Sequence, residues 1–359
     1  MSYDSYAHER NWGARLTEFE YRGYRMVAME NRFIRVAIAA GKGTDILEFL
    51  YKPLDVDFMW RSYTGLHPFL NFTPTVASTQ GSFIDFYAGG WQELLPNAGM
   101  DCVYKGAPLG VHGEVCLLPW NYRIDRNQPD GVAVTFSVRT VRTPFYVEKT
   151  LSLNNEDPVL SIEEKIRNEA QEPMDLMWGH HPALGSPFLD DSCRLFLPPC
   201  RVRTPEEYTS PNSRLEKGQD ADWPFLRGRK GEVIDLSRIP SAEARSHDMA
   251  YIYQMKEGWY AVLNQKLRAG FGLRWDHKSF PSLWFWQLYR GGVGYPWYGM
   301  NYTLALEPVS SYPQTLTEAI KAGTQIVLAA GEERRTRLQA VAFSGCTEIH
   351  GIDDNGRIC

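Results

Sequence analysis

The chain has 359 residues, 43% hydrophobic and 23% charged, with a formal net charge of −5 at pH 7, the profile of a globular protein large enough for a substantial core. Its Lys and Arg are scattered into short clusters such as Arg227-Gly228-Arg229-Lys230, without the basic stripe of a nucleic-acid binder. No run approaches the ~18 apolar residues of a membrane span, and Met1 to Arg15 is polar, without the apolar segment of a signal peptide.

Residues 1–24 read as a polar, aromatic-spotted lead-in. Ile34, Val36 and Ile38 then alternate with Arg35 and Ala37 as a half-buried strand. Gly41-Lys42-Gly43 turns it, and Asp45 to Leu50 continues the β pattern. Residues 60–88 are irregular and rich in Phe, Thr, Ser and Pro, and a connection that long inside a compact chain is expected to be a functional loop. After it come Gly89-Gly90-Trp91-Gln92-Glu93-Leu94-Leu95-Pro96 and Gly110-Val111-His112-Gly113-Glu114, a turn-rich region where glycines let backbone approach a ligand. The plain alternative is a tight corner with Trp91 and Trp120 packed in the core.

Further on the alternation is clean: Val132, Val134, Phe136 and Val138, then Leu160, Ile162 and Ile166, with Asn154-Asn155-Glu156-Asp157-Pro158 as a turn between them. Residues 201–245 are polar and Pro-containing, the pattern of a long surface insertion. Strand patterns resume at Tyr260–Leu263, Phe271–Trp275 and Leu283–Leu288, and again near Gln325–Ala329 and Arg337–Phe343. One short helix is expected at Thr315–Ala322, where Thr315 and Glu318 form a capping box and Gly323 follows as C′. Many short strands with hardly any helix argue for one all-β domain over 1–359, a large and mostly antiparallel sandwich or barrel. Six cysteines without a C-x-x-C read as free thiols, fitting a cytoplasmic setting. The pattern names no oligomeric state.

The chemistry-bearing residues are few. His112 sits between Gly110 and Gly113, and His180-His181 lies in Trp178-Gly179-His180-His181-Pro182. Glu307 ends an alternating stretch, Tyr302 to Pro308, beside small Ala305. A carboxylate with one or two imidazoles is the minimum for two-sided acid–base work. That suits opening and reclosing a sugar hemiacetal, which needs no metal and no organic cofactor. A metal reading is also open: His112 and Glu114 share a strand face, and His180, His181 or Glu307 could complete a site.

In order and spacing these residues resemble the aldose 1-epimerase (galactose mutarotase-like) superfamily, in the mutarotase-like branch that also contains hexose-6-phosphate epimerases. The matching pieces are Gly89-Gly90…Pro96, His112-Gly113…Trp120, His181-Pro182-Ala183-Leu184 and Leu306-Glu307-Pro308. The resemblance implies a β-supersandwich with a sugar in a cleft on its concave face. It implies Glu307 as general base, His181 as general acid and His112 as the histidine that orients the ring oxygen. His180 is then a supporting residue or a contender for the acid role. Asp248 is the nearest counterpart of the hydroxyl-binding Asp of relatives, and Trp91, Gln92, Glu114, Gln287 and Trp297 are candidate substrate-binding residues. Where the hexose-6-phosphate branch carries two Arg, this chain has Ala88 and Cys116, so an unphosphorylated sugar is expected. Ala183 and Leu184 stand where an aromatic pair is usual, a change that widens the pocket. Two further readings stay open: a carbohydrate-binding module without turnover, and a lyase or isomerase acting on an acidic or keto sugar.

Overall fold

The structure, a computed structural model, describes residues 10–67 and 83–359. It is 49% strand and 4% helix, as the alternating pattern requires. Among the described residues the strands form a 12-stranded sheet, an 8-stranded sheet and three two-stranded ribbons, and all named pairs are antiparallel.

The large sheet runs from Arg15–Tyr21 at one edge through Tyr24–Glu30, Ile34–Ala39 and Asp45–Tyr51 to Trp91–Leu94. It continues through Gly179–Leu184, Tyr302–Val309, Ser282–Tyr289 and Ser246–Tyr253 to two short strands at 201–203 and 220–222. The centre therefore joins segments far apart in sequence. The small sheet is built around Val159–Asn168, flanked by Phe145–Asn154 and Glu333–Ser344. Here the alternation is literal: Val147, Leu151, Leu160, Ile162 and Ile166 face the core, while Glu148, Thr150, Glu163 and Lys165 share the outer face.

The core lies between the two sheets. Val27, Met29, Val36 and Phe49 from the large sheet belong to one apolar cluster with Val134, Phe271 and Leu338 from the small one. Each such side chain contributes roughly 1.5–3 kcal/mol on burial. A polar network crosses the same core. Lys149 donates to Glu93 at 3.0 Å, Trp178 Nε1 donates to the other Glu93 oxygen, and Lys149 also lies over the Trp120 ring.

Two boundary expectations change. The stretch 1–24 is more than a lead-in, because Arg15–Tyr21 pairs in full register with Tyr24–Glu30. Its outward polar residues hid an edge strand. The 201–245 excursion contains short strands, and its Leu215, Leu226, Leu236 and Ile239 are buried in the main core. Of the 60–88 connection, residues 68–82 lie outside the described residues. The helix Leu316–Ala322 forms as expected. Thr315 accepts from the Glu318 backbone, Glu318 reaches back to the Thr315 N–H, and Gly323 closes the end in the left-handed conformation.

Candidate functional site

Gly179–Leu184 lies between Trp91–Leu94 and Tyr302–Val309, with both of its faces buried. Successive strand residues point to opposite sides, so the His180-His181 pair is split by the sheet. His180 turns towards the small sheet, where its Nε2 meets Glu164 at 3.0 Å and its Nδ1 accepts from Trp91 Nε1. His181 turns the other way, into a cavity of about 210 Å³. That is smaller than the ~300–1,000 Å³ of sites for drug-sized ligands, a volume matched to one small ring.

Glu307 enters the same cavity from the neighbouring strand, where Ala183 stands opposite Ala305 and fixes the register. His181 Nε2 is 3.4 Å from Glu307 Oε1. On the other side of the imidazole, Nδ1 is 3.2 Å from the Tyr87 hydroxyl. Burial raises the Tyr87 pKa well above its usual value, and nearby Glu307 adds to this, so the phenol stays protonated. Its oxygen can accept from Nδ1–H, the tautomer that leaves Nε2 as the acceptor facing Glu307.

Glu307 is 2% exposed, and its Oε2 has no hydrogen-bond partner. Burial raises its pKa well above the ordinary carboxylate range. Burial also lowers His181 well below the usual imidazole value, and neighbouring His112 adds to this. Desolvation disfavours each charge, so the contact joins a protonated acid to a neutral imidazole.

His112 completes the group from a loop. Its backbone is left-handed, with φ of 61°, a conformation in which His is enriched among non-glycine residues. Next to it, Gly113 has φ of 79°, and a Cβ there would lie 2.2 Å from Leu95 O. Only glycine lets the loop rest so close to the large sheet. The His112 ring is 5.2 Å from that of His181 and edge-on to Phe83. Its Nδ1–H donates to Ala98 O at 2.5 Å, which leaves Nε2 as an acceptor. Burial pulls its pKa down to about 4.

Trp297 also lines the cavity; the other candidate residues do not. Trp91 and His180 lie in the core between the sheets. Gln92 stands directly across from His181 but is fully buried, donating to Gly89 O. Glu114 turns away to clamp a loop, accepting from the backbones of Val141 and Arg142 and from the Thr143 hydroxyl. This removes it from the metal pairing with His112. Among the described residues no group of three or more His, Cys, Asp or Glu is arranged to hold a metal. Asp248 and Gln287 face each other on the opposite side of the sheet, and both bind Arg214. Ala183 does not widen the cavity, because it lies in an apolar cluster with Trp60, Trp286 and Trp297.

Four of the lining residues missed are out of phase with a candidate on the same strand. Trp284 and Trp286, opposite Glu307 and Ala305, line the cavity in place of Gln287. His247 and Met249 do so in place of Asp248. His247 Nε2 accepts from Trp286 Nε1 at 3.0 Å.

A family model described as a domain of unknown function, DUF4432, matches residues 21–341. No curated protein matches the chain in sequence. Among solved structures, a galactose mutarotase-like protein from Clostridium acetobutylicum aligns with a TM-score of 0.64 at 11% identity, over 93% of this chain and 99% of that one. A galactose mutarotase related enzyme from Lactobacillus acidophilus gives 0.60 at 16% identity, over 91% and 98%. A TPR-domain containing protein from Parabacteroides distasonis gives 0.60 at 15% identity, covering 90% of this chain but 48% of that one, so this chain spans about half its length. Identities this low speak to the fold. The chain thus belongs to the DUF4432 family, and its fold is the all-β, galactose mutarotase-like one.

Proposed function

We propose that the chain is a cofactor-independent epimerase of the aldose 1-epimerase kind, interconverting the anomers of a free sugar. The observation that carries this reading is the buried His181–Glu307 contact at a small cavity, with one Glu307 oxygen unpartnered and His112 alongside. The pair holds one mobile proton. A sugar hydrogen-bonding to the carboxyl stabilises its ionised form, and the proton moves across the contact to His181. Glu307 then removes the proton of the anomeric hydroxyl while His181 protonates the ring oxygen. The C1–O5 bond breaks as the C1–O1 double bond forms. The open aldehyde rotates about C1–C2, and the reverse steps close the other anomer. His112 Nε2 accepts from a sugar hydroxyl and orients the ring.

Among the described residues no Lys or Arg lines the cavity, so a phosphorylated sugar would lack charge-assisted partners. All six cysteines are unpaired, which supports a cytoplasmic setting.

The test is saturation-transfer NMR on the anomeric protons of a panel of free sugars. Glu307→Gln and His181→Ala should each slow anomer exchange by roughly 10²–10⁴-fold. Near-normal rates in both variants would sink the assignment. A non-catalytic sugar-binding module is the second reading, favoured by the apolar wall. It predicts saturable binding without faster exchange.

A further inference from the structure

Among the described residues, the cavity offers few polar groups for an ordinary hexose. Its wall is dominated by Met100, Val111, Met249, Trp284, Trp286 and Trp297. Among the described residues no Ser, Thr, Asn, Asp, Lys or Arg contributes to it.

The polar atoms that do line it are largely spoken for. Trp284 Nε1 donates to Ser311 O, and Trp286 Nε1 donates to His247. The Tyr87 hydroxyl is held by His181, and Gln314 Nε2 by the Tyr251 hydroxyl. Among the side chains of the described residues, once Glu307, His181 and His112 serve the anomeric end, the second nitrogen of His247 and the carbonyl and remaining N–H of Gln314 are left for the rest of the ring. A hexose carries an oxygen on every carbon, and each hydroxyl buried without a partner weakens binding by roughly 10–100-fold.

We propose, taking the mutarotase reading as the basis, that the substrate is a 6-deoxyhexose, a sugar with a methyl group where a hexose has its primary alcohol. Carbon 5 shares the ring oxygen with carbon 1, so the group on carbon 5 lies beside the catalytic pair. On the Glu307 side of that pair the sheet neighbours are apolar. Trp284 stands directly across from Glu307, Trp286 across from Ala305, and Met249 across from Trp286. Indole faces and an adaptable thioether suit a methyl group and offer a hydroxyl no partner.

The experiment uses sugars that differ only at this carbon: D-fucose against D-galactose, and L-rhamnose against L-mannose. Both binding, by calorimetric titration, and anomer exchange, by saturation-transfer NMR, are measured on the wild-type chain. The expected result is a 10–100-fold preference for the 6-deoxy member in at least one pair, near the limit an apolar pocket reaches against an added hydroxyl. Equal or better handling of the hydroxylated member in both pairs, or no binding of any of the four, overturns the proposal. A 6-deoxy preference in binding without faster exchange upholds this specificity and removes the mutarotase reading instead.

Discussion

Replacing Glu307 with Gln should stabilise the protein as it inactivates it, and the gain should grow with pH. In the folded chain burial holds the Glu307 pKa well above the ordinary 4.5. In the unfolded chain the carboxyl ionises near that ordinary value. Between the two values folding takes up a proton, so stability falls as pH rises through the window that opens at 4.5. The penalty is about 1.4 kcal/mol for each pH unit over which the folded carboxyl stays protonated. Gln has nearly the shape of the protonated acid and takes up no proton, so the variant escapes the penalty. For a domain this large each kcal/mol moves the melting midpoint by roughly 2 °C. Melting curves of both proteins at half-unit steps from pH 5 to 8 read the difference directly. The wild type and variant should nearly coincide at pH 5 and diverge upwards. A gap that stays flat, or closes as pH rises, would refute the buried neutral acid.

Two more expectations concern neighbours of the site. Tyr87→Phe removes the hydrogen-bond partner of His181 Nδ1 and frees the imidazole to change tautomer. Anomer exchange should slow by about 10-fold in kcat with KM little changed and the acid limb of the pH profile displaced, whereas a purely structural role would leave that profile in place. Lys149→Ala strands the Glu93 carboxylate in the core, at a cost of about 3–5 kcal/mol in urea unfolding. Removing the charge at both ends, as Lys149→Met with Glu93→Gln, should recover most of that loss.

The sequence was most legible where one strand face was wet. Residues 131–139 and 159–168 alternate because one side packs the core and the other meets solvent, and the helix at 316–322 announced itself through its cap. Legibility failed where both faces are buried. Ser282–Tyr289 is apolar on both sides, so its pattern does not say whether Trp286 or Gln287 meets the ligand. The same ambiguity covers His180 and His181, one serving the core and the other the cavity. Glu114 carried no sign that its carboxylate would close a loop at 141–143, since that partner is tertiary. Tyr87 and His247 gave no local signal, because their importance arises from a sheet assembled out of distant pieces.

That assembly governs when the site can exist. The strand carrying His181 has neither sheet neighbour close in the chain: Trp91–Leu94 lies some ninety residues before it and Tyr302–Val309 more than a hundred after. Neither pairing can form until a long loop has closed, and such non-local pairings are slow to nucleate. The hairpins Arg15–Glu30 and Gly131–Asn154 can form first, from local contacts. During refolding, strand signal should therefore return before the cavity does, and a nascent chain lacking its last sixty residues holds His181 with no Glu307 to meet it.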